Sequence, residues 1–236
     1  MILKTEFVKA KTIFLNQRER ISTGSGRLDT LIAGIEQGTI YLFYGDQEPL
    51  TRLMQFLAVE NIRKTSAPTL IITTIDYHDG LVLDVYDLAY TAVQLSLDTE
   101  YALKNIYVIN VFNRRQATAL RDILKLVEEK GIRLVIVWGL TRLFSYEHYP
   151  VLIKFLSLLK ELQSQSAVVI FSEGLKKGTP LKPAGPIFLR HFPNVIVYLR
   201  KSKRFKKLVR AYLVKHPYRR QEVADIFLDF HGLMDW

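Results

Sequence analysis

Leu134-Val135-Ile136-Val137 and Val168-Val169-Ile170-Phe171 decide the fold class. Each is an unbroken apolar run of strand length rather than an alternation. Such runs belong to strands covered on both faces, as in a parallel sheet with helices on either side. Similar runs, each bounded by turn residues, recur at Thr39–Tyr44, Thr69–Thr74, Asn105–Val111 and Asn194–Leu199, and the two quoted runs extend to Arg133–Val137 and Ala167–Phe171. Between them, Leu50–Lys64, Leu81–Ser96, Arg115–Lys130 and Tyr149–Gln165 carry apolar stripes at helical spacing, and Gly131 supplies a stop for the third. After Asn194 the pattern changes: Val195–Leu199 and Lys207–Val214 flank a basic turn and Ala224–Phe230 follows, which predicts antiparallel strands closing the sheet. The expectation is an α/β fold with a mostly parallel central sheet.

A chain of 236 residues with 49% hydrophobic content can bury one sizeable core. The division expected is a short N-terminal arm over residues 1–20 and one core domain over 21–236. With no cysteine, disulfides and thiolate chemistry are excluded. The N-terminal stretch alternates charged and apolar residues unlike a signal peptide, and no run reaches membrane-spanning length, so a cytoplasmic protein with no membrane association is expected. A formal charge of +10 favours phosphate backbones, anionic lipids or an acidic partner, without choosing among them.

Ordered segments narrow the class. Ile21-Ser22-Thr23-Gly24-Ser25 with Leu28-Asp29, Ile35-Glu36-Gln37-Gly38 leading to Gly45, Asn105-Ile106-Tyr107-Val108 with Phe112-Asn113, Arg133–Thr141, and Val197–Lys201 through His216-Pro217 to Gly232-Leu233-Met234-Asp235 fall in one sequence. Together they resemble the archaeal RadA branch of the RecA superfamily, over roughly Phe7 to Asp235. The resemblance implies a RecA-like P-loop NTPase core without that family's separate N-terminal helical domain.

A P-loop needs glycines whose backbone N–H groups cradle phosphates, a lysine for the terminal phosphates and a hydroxyl for magnesium. Counted from Gly45, the segment reads Gly45-Asp46-Gln47-Glu48-Pro49-Leu50-Thr51-Arg52. Leu50 replaces the second glycine, Thr51 the lysine and Arg52 the hydroxyl, and Asp46 and Glu48 repel phosphate. Trp138 stands where the resemblance implies a magnesium-organising aspartate, and Ile75 where it implies the glutamate that positions water. Asp76 lies one residue away. The site is therefore expected to be degenerate, with no cofactor and no catalytic residue. Trp138 and Leu50 either fill the former nucleotide pocket or are plain core residues.

RadA-type recombinases also polymerise through a Phe-x-x-Ala arm, and Phe7-Val8-Lys9-Ala10 precedes the core at a similar place. The resemblance implies docking of Phe7 and Ala10 on a recombinase or paralogue by strand addition. Larger residues at Ile109 and Val111, where relatives carry alanines, would narrow the acceptor pocket; the alternative is an ordinary buried strand.

For nucleic acid, the first implied DNA loop is short, while the second, Gly174–Gly185, keeps Lys176, Lys177 and Lys182. A denser basic run holds Arg200, Lys201, Lys203, Arg204, Lys206, Lys207 and Arg210 around Phe205, a candidate stacking ring or merely a solvated tip. Sequence-independent binding to single- or double-stranded DNA is expected. His78, His148, His191, His216 and His231 are scattered singly, so no metal site is expected, and no Gly-x-Ser-x-Gly elbow is present. The resulting expectation is a non-catalytic paralogue that binds DNA, the recombinase, or both, and modulates recombination or repair, with homo-oligomers possible. A divergent ATPase recruiting Arg52 or Asp76 and a silent subunit of a KaiC-like ring are the alternatives.

Overall fold

A computed structural model describes residues 20–74, 83–139, 143–144, 148–174, 181–185, 187–229 and 232–235. The continuous apolar runs become β1 (Ile40–Gly45), β2 (Thr69–Thr73), β4 (Leu134–Trp138) and β5 (Ala167–Glu173), and all but Glu173 in them is buried. With β3 (Ile106–Asn110), β6 (Val195–Lys201), β7 (Leu208–Lys215), β8 (Val223–Asp229) and β9 (Gly232–Met234) they form one sheet in the order β3-β2-β4-β5-β1-β6-β7-β8-β9. Pairing is parallel from β3 through β6 and antiparallel from β6 to β9. The sheet is thus mostly parallel with an antiparallel C-terminal end, as the sequence pattern predicts.

Because strand side chains alternate in direction, the sheet makes two cores. Tyr41, Phe43, Trp138, Val169 and Phe171 face one of them with α1 (Gly26–Ile32), α2 (Gln47–Thr65) and α3 (Val85–Gln94). Ile40, Leu42, Tyr44, Val135, Val137 and Ile170 face the other. That side is covered by α5 (Arg114–Ala119), α6 (Asp122–Lys130) and α7 (Tyr149–Leu162). The buried stripe of α2 (Leu50, Leu53, Met54, Leu57, Ala58, Ile62) has the spacing of one helical face.

Four elements differ from the sequence expectation. The helix expected over Arg115–Lys130 is two helices: Thr118 Oγ1 bonds back to the carbonyls of Arg114 and Arg115. Ile123 and Leu124 then donate to Leu120 and Arg121, three residues back, which tightens the turn at the break. The helix expected from Leu81 begins at Val85, where the Asp84 carboxylate accepts the N–H of Tyr86 at 2.8 Å. Leu81 lies outside the described residues. Finally, α1 and α4 (Thr99–Lys104) are too short to show a stripe, yet each opens on a side-chain cap, Ser25 and Asp98.

Candidate nucleic-acid interface

In an open α/β sheet, ligands are met at the carboxyl ends of the parallel strands. Here β1 ends at Gly45 beside Glu173 of β5 and Leu199 of β6. Only Asp46 separates β1 from α2, so residues 47–50, which the sequence count places in a phosphate loop, form the first helical turn. Gly45 has φ +136°, and a Cβ there would stand 2.0 Å from the Leu199 carbonyl oxygen. The glycine is required by the close approach of β6.

Neither acid at this junction is free. The Asp46 carboxylate accepts the Lys201 backbone N–H at 2.7 Å, and Glu48 pairs with the Lys201 ammonium. Leu50 is fully buried. Thr51 is half-buried, and the Arg52 guanidinium lies 3.4 Å from Asp87 on α3. Trp138 is buried in the same core as Leu50, its ring stacked on Phe171 with centroids 5.7 Å apart. Its indole Nε1 is buried and has no hydrogen-bond partner among the described residues. Ile75 and Asp76 lie outside the described residues.

The basic hairpin grows from this same edge. Arg200 stands opposite Arg210, and Lys201 opposite Val209. The turn closes through Ser202: its N–H donates to the Leu208 carbonyl at 2.8 Å, and its Oγ accepts the N–H groups of Arg204 and Phe205. Phe205 is 57% exposed, and the Arg204 guanidinium sits 5.4 Å from its ring centroid, within cation–π range. Lys207 pairs with Asp229 at 3.3 Å and Arg210 with Asp225 at 2.9 Å. Arg200, Lys203, Arg204 and Lys206 are exposed and have no ion-pair partner among the described residues.

One cation was not legible in the sequence. Arg27, on α1, donates to the Asp225 carbonyl and borders a cavity of about 620 Å³ with Arg204, Phe205, Lys206 and Phe227. Adjacency along the chain could not place it there, because α1 reaches the hairpin only through the fold.

The second basic segment is held at the same edge. Gly174 donates to the Gly45 carbonyl at 3.1 Å, and the Tyr44 hydroxyl donates to the Leu181 carbonyl at 2.7 Å. Lys182 is exposed beside these anchors, whereas Lys176 and Lys177 lie outside the described residues. Tyr44, Tyr198 and Tyr212 stack in a row across β1, β6 and β7. Burial raises the phenol of Tyr198 above its ordinary range, and the Asp46 carboxylate adds to the effect, so this ring stays a neutral donor.

Of the implied docking elements, Phe7 and Ala10 lie outside the described residues. On β3 and just beyond it, Ile109 is half-buried and Val111 fully buried in the α5–α7 core. Among the described residues no cluster of His, Asp or Glu could hold a metal ion, and no helix is long and apolar enough to cross a membrane.

The first and last of the segments that carry the family resemblance are fasteners. Asp29 accepts from the Ser22 hydroxyl, the Thr23 hydroxyl and the Thr23 N–H at 2.6, 2.7 and 2.8 Å. Ser25 Oγ donates to Asp235 at 2.6 Å and so ties the first such segment to the last.

No protein-family model matches the chain. It is 28% identical to the DNA repair and recombination protein RadA of Aeropyrum pernix, over 84% of this chain and 68% of that protein. To the protein of the same name from Ignicoccus hospitalis it is 26% identical, over 91% of this chain and 74% of the relative. Spread over most of both chains and joined to a mostly parallel sheet with antiparallel C-terminal strands, these similarities support a RadA/RecA-like relationship.

Proposed function

We propose that this protein is a non-catalytic relative of RadA that binds DNA, a recombinase, or both, and modulates recombination or repair. The observation that carries the reading is the β6–β7 hairpin, where four cations with no ion-pair partner among the described residues surround a largely exposed phenylalanine at the ligand edge of the sheet. Unpaired cations bind a phosphate backbone by releasing its counterions, and an exposed ring offers a base a stacking surface. The exposed Lys182 would extend the footprint from the loop after β5, which Gly174 and Leu181 anchor beside β1, and Lys176 and Lys177, outside the described residues, would add charge to the same loop.

The non-catalytic half of the reading is supported by the β1–α2 junction. A single residue leaves no loop to wrap a triphosphate, Asp46 and Glu48 both engage Lys201 and so keep that cation from a phosphate, and Arg52 is engaged by Asp87. The arm with Phe7 and Ala10 would supply the contact to a recombinase or paralogue.

The test is binding to fluorescent single- and double-stranded DNA across a salt series, with and without ATP and magnesium. Affinity that falls steeply with salt and ignores ATP is expected. Absence of binding at low salt overturns the nucleic-acid reading, and ATP-dependent binding or a saturable rise in Tm with magnesium–ATP overturns the non-catalytic one.

A further inference from the structure

Arg200 and Arg210 face each other directly across the β6–β7 ladder on one face of the sheet. Like charges at directly opposed positions destabilise a strand pair. Only Arg210 has a compensating acid, Asp225, which is its partner across the next ladder. Arg200 has none among the described residues. Above this pair a cavity of about 300 Å³ is lined by Arg200, Lys201, Lys203, Arg204, Arg210 and Tyr212. The Lys201 ammonium is already held by Glu48, which leaves Arg200, Lys203 and Arg204 as cations with no acid to answer them among the described residues.

We infer that this cavity is a discrete phosphoryl-binding pocket, filled by one polyanionic group seated between Arg200 and Arg210. A guanidinium presents a planar fork of donors that matches phosphoryl oxygens, so two arginines held side by side by a strand ladder make a pre-set clamp. The anion would supply the negative charge that Arg200 lacks, beside an Arg210 that Asp225 already answers in part. Lys203 and Arg204 close the cavity from the turn, whose shape Ser202 fixes. The inference deepens the nucleic-acid reading of the hairpin: it replaces a diffuse field with a defined seat, and it admits a free polyphosphate chain as well as an internucleotide phosphate.

The experiment uses inorganic tripolyphosphate as probe, titrated calorimetrically into the full chain at constant ionic strength, with Arg200→Gln, Arg210→Gln and the remote, exposed Lys125→Gln. A seat predicts that Arg200→Gln and Arg210→Gln each weaken binding roughly tenfold or more, while Lys125→Gln, with the same change in net charge, does not. It also predicts that ligand-free Arg200→Gln melts at higher temperature than the parent, because the opposed charges are relieved, and gains less from added tripolyphosphate. Equal weakening by all three variants, or no binding of tripolyphosphate, overturns the pocket.

A labelled oligonucleotide then separates the two sources. Displacement by tripolyphosphate in the parent but not in Arg200→Gln supports a nucleic-acid phosphate in the seat. Tripolyphosphate binding with those variant effects, in a protein that binds no oligonucleotide, supports a free polyphosphate in the seat and sinks the nucleic-acid reading alone.

Discussion

The Lys201 backbone N–H donates to the Asp46 carboxylate at 2.7 Å, joining the residue between β1 and α2 to the end of the neighbouring strand β6. Asp46 stands at the cap position of α2 but makes no side-chain cap bond there. Its acceptor is spent on the hairpin instead. Asp46→Ala should therefore cost about 1.5–3 kcal/mol, the range for a hydrogen bond with one charged partner, and Asp46→Asn should recover most of that. Urea denaturation of the two variants decides it: equal tolerance of alanine and asparagine would mean that the bond contributes nothing.

Gly45 gives a sharper case. Its φ of +136° is one that side chains disfavour, and an added Cβ would collide with the Leu199 carbonyl. Gly45→Ala must push β6 away from β1 at the centre of the sheet, and a loss above about 3 kcal/mol is expected. A destabilisation under 1 kcal/mol, read from the shift of the denaturation midpoint, would show that the two strands can separate without cost.

These two residues mark where the sequence stops being legible. The strands were readable because burial on both faces demands unbroken apolar runs, and Leu134–Val137 and Val168–Phe171 have no other good use. The antiparallel end was readable from the basic turn between two short runs. Gly45 could be found but not explained: a glycine kept for phosphate and a glycine kept for a neighbouring strand look alike. Asp46 and Glu48 read as charges opposed to phosphate because their partner, Lys201, lies far along the chain. The cations of the hairpin were visible as a run, but which of them are neutralised by Asp225, Asp229 or Glu48 depends on strand register, which composition does not contain. Arg27 belongs to the same class.

Trp138 tests whether its place is structural. The ring is buried against Phe171, while Nε1 lacks a partner among the described residues. Trp138→Phe keeps the stack and removes the unmet donor, so it should cost less than about 1.5 kcal/mol. Trp138→Ala leaves a cavity and should cost about 3–5 kcal/mol. Thermal or urea melts that find phenylalanine as costly as alanine would mean that the indole N–H makes a bond of its own.

His216 predicts a pH dependence. Burial is the main cause holding its pKa below the ordinary 6.5; the Arg219 charge lowers it further, and the bond to the Ile32 carbonyl and the Glu36 charge oppose the shift only in part. A base whose folded pKa is depressed takes up its proton more readily when unfolded. Its contribution is therefore intact above the unfolded value and lost as pH falls through about 6.5 toward the folded value. Stability should decline as pH falls below about 6.5, before most carboxylates titrate, and His216→Gln should flatten that decline. Identical pH profiles for variant and parent would rule out this residue as the source.

The unequal pairing of the hairpin cations makes the last prediction quantitative. For a phosphate-contacting cation, the slope of log affinity against log salt carries a contribution of about one, and truncating it removes that contribution. Lys203 and Arg204 have no acidic partner among the described residues, so Lys203→Ala and Arg204→Ala should each reduce the slope by about 1. Lys207 is already neutralised in part by Asp229 at 3.3 Å, and its truncation should change the slope less. Phe205→Ala separates stacking from charge, since it should weaken single-stranded binding by about 1–3 kcal/mol while leaving the slope alone. Measured by anisotropy, a uniform fall in slope across all three cation variants would mean that the local acids do not govern the interface and that net charge alone draws the nucleic acid in.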